Sequence, residues 1–190
     1  TAFCKFGGLN RVAMKRYRLI AGLTMLFLTT LLNGQQVYEH NYLVKVGDPA
    51  PDFTINEAGG RSYRLSELRG RVVMLQFTAS WCSVCRREMP FIEEEIWLPG
   101  KQKGLAVIGI DRDEPLSTVS KFASDMKITY PLALDPGAEI FGLYAEKQSG
   151  VTRNVIIDRN GKIIFLTRLF ERGEFDKMKE IIFSELGKKH

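Results

Sequence analysis

The sequence predicts an α/β domain built on a central mixed sheet flanked by helices, and three observations carry that reading. Two largely apolar runs, residues 72–78 and 105–111, are each followed by a segment with helical spacing. Further on, two β-rich runs, residues 155–158 and 163–167, flank an Asn-Gly turn. Hydrophobicity that is continuous rather than alternating marks strands covered on both faces. A strand-helix-strand-helix order implies parallel pairing with right-handed crossovers, whereas Asn160-Gly161 signals an antiparallel hairpin.

The elements follow in order. Residues 37–46 alternate around Tyr38, Tyr42 and Val44 and read as a lead-in rather than a core element, closed by Gly47-Asp48-Pro49-Ala50-Pro51. Residues 53–55 and 62–65 predict two short strands joined through a glycine-containing turn at residues 57–61. A single helical turn ending at Gly70 comes next. The first long apolar strand leads into a helix over residues 86–96, and residues 99–104, with Pro99, Gly100 and Gly104, predict a turn. After the second long strand, Leu116, Val119, Phe122, Ala123 and Met126 give a helix opened by Pro115. Residues 130–135 are expected to be extended and 138–143 a short helix. After the hairpin, Phe175, Met178, Ile181, Ile182 and Leu186 lie on one face of a final helix that stops at Gly187.

A chain of 190 residues accommodates one ordinary domain plus appendages. Its formal net charge is +5, but five of the 27 basic residues precede residue 35, where no acid stands, leaving 22 against 22 in the remainder. The folded part therefore has no excess charge with which to attract nucleic acid. The basic cluster Met14-Lys15-Arg16-Tyr17-Arg18 precedes an uncharged run of 14 residues, 19–32, shorter than the roughly 20 a spanning helix needs. This is the pattern of an export signal, with an uncleaved N-terminal anchor as the competing reading. The expected organisation is an upstream extension and leader over residues 1–34, a lead-in over 35–45 and the folded domain over 46–187. Thr1 to Ala13 precede the natural-looking start at Met14, so Cys4 is expected to be absent from the mature protein. One cysteine pair then remains, in an exported chain where disulfides persist.

That pair lies in Trp81-Cys82-Ser83-Val84-Cys85-Arg86-Arg87, at the turn between the first long strand and its helix. Unpaired backbone N–H groups and the positive end of the helix dipole favour a thiolate at Cys82. Cys85 is one turn further in. Arg86 and Arg87 add positive charge nearby or are solvated helix-face residues; the sequence leaves both readings open.

The element order and the Trp-Cys-x-x-Cys turn together resemble the thioredoxin fold. Gly47-Asp48-x-x-Pro51-Asp52-Phe53 points to its exported TlpA/ResA-like, AhpC/TSA-related branch, supported by Cys85-Arg86-Arg87-Glu88-Met89-Pro90 and by residues 65–73, 77–82 and 156–163. The resemblance implies a three-layer sandwich with an N-terminal β-hairpin extension and a thiol–disulfide oxidoreductase without a cofactor. It implies that Cys82 is the nucleophile and Cys85 the resolving thiol. Glu88 matches a glutamate beneath the dithiol that moves protons, or else is an exposed helical residue. Trp81, Ser83, Val84, Thr152 and Arg153 are the implied substrate-facing positions. Gln76 stands where cytoplasmic thioredoxins carry a buried aspartate.

Thr152 departs from the pattern, because related proteins place a cis-proline there. A cis bond before threonine costs about 3–4 kcal/mol, so Val151-Thr152 is expected to be trans. Arg153 is expected near the rim of the site, contacting an acidic substrate, the thiolate or a surface carboxylate. The implied partners are disulfide-containing proteins of the cell envelope or periplasm and an upstream membrane electron donor, with the chain a monomer, tethered or free.

Two alternatives belong to other classes. A peroxiredoxin-like thiol peroxidase needs Pro-x-x-x-Thr-x-x-Cys, but Leu75 and Ala79 occupy the proline and threonine positions. A CxxC metal-binding module would need further ligands, and Cys4, His40 and His190 lie towards the chain ends.

Overall fold

A computed structural model of the protein describes residues 38–188; the leader, Cys4, Val37 and His190, and the expectations attached to them, lie outside the described residues. The core is a five-stranded sheet made of β3 (Val72–Thr78), β4 (Leu105–Arg112), β5 (Leu132–Asp135), β6 (Arg153–Ile157) and β7 (Ile163–Arg168). Strand order is β5-β4-β3-β6-β7, parallel from β3 through β5 and antiparallel where β6 joins β3 and β7 joins β6. The sheet is therefore mixed, and β3 at its centre is buried along its whole length.

Alternation along β3 divides the core into two layers. Val73, Leu75 and Phe77 join one apolar cluster with Phe53, Ile55, Phe141 and Tyr144, while Val72 and Met74 join the other with Met89, Val119, Phe122, Phe175 and Met178. Helices α1 (Ser83–Phe91), α2 (Leu116–Met126) and α4 (Arg172–Gly187) contribute to the second layer; α3 (Phe141–Tyr144) and the hairpin of β1 (Thr54–Asn56) and β2 (Ser62–Arg64) contribute to the first. Glu171 caps α4 by accepting from Gly173 and Glu174 N–H. In the β6–β7 turn Gly161 has φ +82°, and a side chain there would collide with the Arg69 guanidinium.

Two expectations are corrected. The helix that begins at Ser83 does not give way to a turn at Pro99: it widens to a π-helix over Ile92–Trp97, resumes at Leu98–Gly100 and tightens to 3-10 over Lys101–Lys103. Pro90 lacks the N–H for one ladder bond, which disrupts the register just before the wide turn. Proline at the start of a resumed helical segment is tolerated, and Gly104, at φ +90°, makes the stop.

The second correction concerns the stretch read as a lead-in. Tyr42 and Val44 are buried core residues. Tyr42 pairs with Ala145 in an isolated bridge, and its hydroxyl donates to the Thr167 carbonyl at 2.5 Å. An alternating pattern this short shows one buried face but not what it is buried against.

Candidate active site

The loop Ala79–Trp81 carries the chain from the C-terminal end of β3 into α1. Cys82 is the N-cap of that helix, extended at φ −83°, and its sulfur accepts the Cys85 N–H at 3.1 Å, in the role usually filled by a serine or aspartate oxygen. Cys82 and Cys85 form a disulfide with Cα atoms 5.3 Å apart. Cys85 is fully buried and Cys82 is 7% exposed, while Trp81 beside it is 64% exposed. Ser83 is exposed and Val84 half-buried, packed against the first core layer. The sulfurs thus lie just beneath a rim made by their sequence neighbours.

Across from them stands Thr152, immediately before β6. Its Oγ1 lies 3.1 Å from Cys82 Sγ and 3.3 Å from Cys85 Sγ. No peptide bond among the described residues is cis, so Val151-Thr152 is trans as expected.

Glu88, one helical turn beyond Cys85, is buried rather than exposed. Its Oε1 accepts from Asn154 Nδ2 at 2.6 Å and its Oε2 from Gln76 Nε2 at 3.4 Å. Burial pushes its pKa up to about 7, against the opposing pull of the Asn154 and Gln76 hydrogen bonds. Gln76 in turn accepts from the Tyr130 hydroxyl at 2.7 Å, and Asn154 also donates to Thr167 Oγ1 at 2.9 Å. The result is a buried polar chain, Tyr130 to Gln76 to Glu88, with Asn154 closing it from the next strand. Asn154, Tyr130 and Thr167 were not singled out from sequence. The available signal was Asn154 itself, a polar residue opening an apolar strand and standing directly opposite Gln76 in the β3–β6 register.

The rim position expected for Arg153 is overturned. Its side chain is fully buried, with the guanidinium 4.5 Å from the centre of the Tyr42 ring and 5.9 Å from that of Phe141. Nε donates to the Gly150 carbonyl at 3.2 Å and Nη2 to Ser149 Oγ at 3.0 Å, while Nη1 has no partner. Alternation along β6 accounts for the misreading: the residue after Thr152 points to the opposite face of the sheet. Arg86 is also committed elsewhere, donating to the Ser80 carbonyl at 2.7 Å and covering the Phe122 ring.

A pair of carboxyls borders the Ala79–Trp81 loop and escaped the sequence reading. Glu114 accepts both the N–H and the hydroxyl of Ser80, at 2.5 and 2.6 Å. Asp111, at the end of β4, is fully buried with no donor on either oxygen. Burial first, then the neighbouring Glu114 and Asp135, push its pKa up to about 8. A buried carboxyl next to a second acid and without a donor keeps its proton, which fits the raised pKa of Asp111. An acid closing the apolar run at residue 111 was the available signal.

With this geometry established, comparison places the chain among known proteins. The AhpC/TSA family profile matches residues 46–166. The thiol-disulfide oxidoreductase ResA of Geobacillus thermodenitrificans is 33% identical over 153 residues, covering 78% of this chain and 86% of the relative. A Bacteroides thetaiotaomicron protein, provisionally described as a protein disulfide isomerase, has a solution structure that is 55% identical at TM-score 0.77, covering 80% of this chain and 96% of the other. A Chlorobium tepidum crystal structure, provisionally described as the thiol:disulfide interchange protein DsbE, is 30% identical at TM-score 0.68, covering 76% and 99%.

Proposed function

This chain belongs to the AhpC/TSA family and is a thiol–disulfide oxidoreductase of thioredoxin-like fold, and from that premise we propose that it acts outside the cytoplasm as a reductant of protein disulfides. The observation that carries the reading is the paired sulfur site at the start of α1, with Cys82 capping the helix and Cys85 buried behind it.

The proposed cycle begins with Cys82 as the nucleophile. The helix N-terminus and the Cys85 N–H stabilise its thiolate, which attacks a substrate disulfide to give a mixed disulfide. Cys85 then attacks Cys82 Sγ and releases the reduced substrate. Glu88, whose pKa sits near neutrality, exchanges the proton that the thiols gain and lose. Trp81, Ser83, Val84 and the Thr152 backbone form the face against which a substrate segment docks.

The export reading rests on the basic and apolar pattern of residues 14–32. Disulfide-containing envelope proteins are the proposed substrates, a membrane protein is the proposed electron donor, and the chain works as a monomer, free or tethered.

A redox titration of the wild-type protein beside Cys82→Ser and Cys85→Ser tests the reading. The wild type should interconvert between dithiol and disulfide, Cys85→Ser should accumulate mixed disulfides, and Cys82→Ser should be inert. A wild-type pair that never closes at any accessible potential would sink the assignment. Fractionation of cells producing the full chain tests export, and recovery in the cytosol would overturn that part.

A further inference from the structure

We propose that Thr152 is a catalytic residue: its hydroxyl donates to the Cys82 thiolate and accepts the Cys85 S–H, so that one side chain holds the dithiol in its reactive, singly protonated form. This deepens the oxidoreductase reading above and rests on it. Among the described residues the hydroxyl's only partners are the two sulfurs, at 3.1 and 3.3 Å. A hydroxyl has one proton to give and two lone pairs with which to accept. In the disulfide neither sulfur carries hydrogen, so Thr152 can only donate.

Reduction changes that role. With the charge on Cys82 and the proton on Cys85, hydrogen bonds run from Cys85 S–H to Thr152 Oγ1, and from Thr152 O–H to Cys82 Sγ, where the Cys85 N–H also donates. The opposite arrangement would put the charge on the sulfur that is fully buried, while Cys82, the recipient of the helix-terminal N–H, carried the proton. The hydroxyl therefore reinforces the asymmetry between nucleophile and resolving thiol.

The backbone delivers the hydroxyl without a cis bond. The Leu169 N–H donates to the Thr152 carbonyl at 3.1 Å, and the preceding loop is tied by Arg153 to Gly150 and Ser149, and by Arg112 to the Ser149 carbonyl at 3.0 Å. A proline at this position has no donor at all. The chain has exchanged a ring for a hydrogen bond to the reacting sulfur.

The exchange balances as follows. Cys82 Sγ forms a bond to one sulfur of a protein disulfide, that disulfide breaks, and the other sulfur leaves with the electron pair and takes a proton from water. Cys85 passes its proton to Glu88, which returns it to solvent, and attacks Cys82 Sγ; the second substrate sulfur leaves with its pair and is protonated from water. Two electrons and two protons have passed to the substrate. When a donor thiolate later attacks Cys82 in the disulfide, the pair leaves on Cys85 Sγ, to which the same hydroxyl, 3.3 Å away, donates a hydrogen bond.

The test compares Thr152→Val, which keeps the branched shape, and Thr152→Ala with Thr152→Ser, which keeps the hydroxyl. Ultraviolet thiolate absorbance of the reduced proteins is followed against pH, with circular dichroism as the check on folding. Loss of one hydrogen bond to a charged group should lower the thiolate fraction at neutral pH about tenfold in Thr152→Val and Thr152→Ala, with the titration moved to higher pH. Thr152→Ser should stay within about twofold of wild type. If the valine or alanine protein titrates like wild type, or if serine is as impaired as valine, the proposal is overturned. Should one variant fail to fold, the other still decides. A wild-type protein that cycles its disulfide while Thr152→Val titrates normally would remove this role and leave the oxidoreductase reading standing.

Discussion

Asn154 donates to Glu88 across the sheet-helix boundary at 2.6 Å, so a carboxyl buried on the dithiol helix is held by an amide from the strand that follows Thr152. Glu88 keeps its proton to about pH 7 in the folded protein, whereas in the unfolded chain it loses it near 4.5. Between those values the native state binds more protons, so stability should fall as pH rises through that window and level off above it. Glu88→Gln removes the dependence. Urea unfolding should find the variant more stable than wild type by up to about 3 kcal/mol at pH 8 and no more stable at pH 4. Parallel pH curves for the two proteins would refute this.

Removing the other partner has the opposite sign for the titration. Asn154→Ala takes away a bond that favours the ionised carboxylate, so the Glu88 pKa should rise further and the pH profile of disulfide exchange should move with it. The fold should lose about 1–3 kcal/mol, because Glu88 and Thr167 are left short of a donor. A profile that stays in place while stability drops would mean that Glu88 does not titrate in the rate.

Asp111 and Glu114 predict a second pH response. Asp111 holds its proton to about pH 8 when folded but only to about 3.8 when unfolded, so its ionisation opposes folding increasingly across that range. Asp111→Asn should raise the thermal midpoint by about 4 °C or more at pH 9, where the wild-type carboxyl is charged, and by much less at pH 4. Glu114→Gln leaves Ser80 with weaker acceptors, and hydrogen exchange of the Ser80 amide should quicken. An unchanged Ser80 amide would show that other contacts hold the loop.

Arg153 predicts a stability effect at a site a few residues from the chemistry. Arg153→Lys keeps the charge but loses the planar stack over Tyr42 and the paired bonds to Gly150 and Ser149, and should cost about 2 kcal/mol. Tyr42→Phe keeps the ring and should cost about 1 kcal/mol through the lost donor to Thr167. Chemical denaturation of the two single variants and the double variant measures both effects. If Arg153→Lys were neutral, the buried stack would not contribute to stability.

What could be read from sequence was what is local in the chain. Residues 72–78 and 105–111 showed mostly continuous hydrophobicity, Asn160-Gly161 marked its hairpin, and Cys82 and Cys85 stood three apart at a strand-to-helix change. The trans bond at Thr152 followed from the cost of the alternative. The missing parts depend on pairing between distant segments. Arg153 reads as a rim residue until Tyr42, 111 positions earlier, supplies an aromatic face. Asn154 acquires its meaning only when the β3–β6 register sets it against Gln76. Charge patterning could not expose the environment of Asp111, since such acids are ordinarily solvated and only burial makes this one hold its proton.

Thr152 follows Cys82 by 70 residues, and that interval has a consequence for how the molecule is made. The two cysteines emerge together on a nascent chain, near enough in sequence to oxidise, while Thr152, just ahead of β6, has yet to be synthesised. Until β6 slots in beside β3, both thiols lack the Thr152 hydroxyl. A chain released short of residue 157 would carry the thiol pair without the opposing hydroxyl, so the pairing of Thr152 with the two sulfurs arrives with the last quarter of the polypeptide.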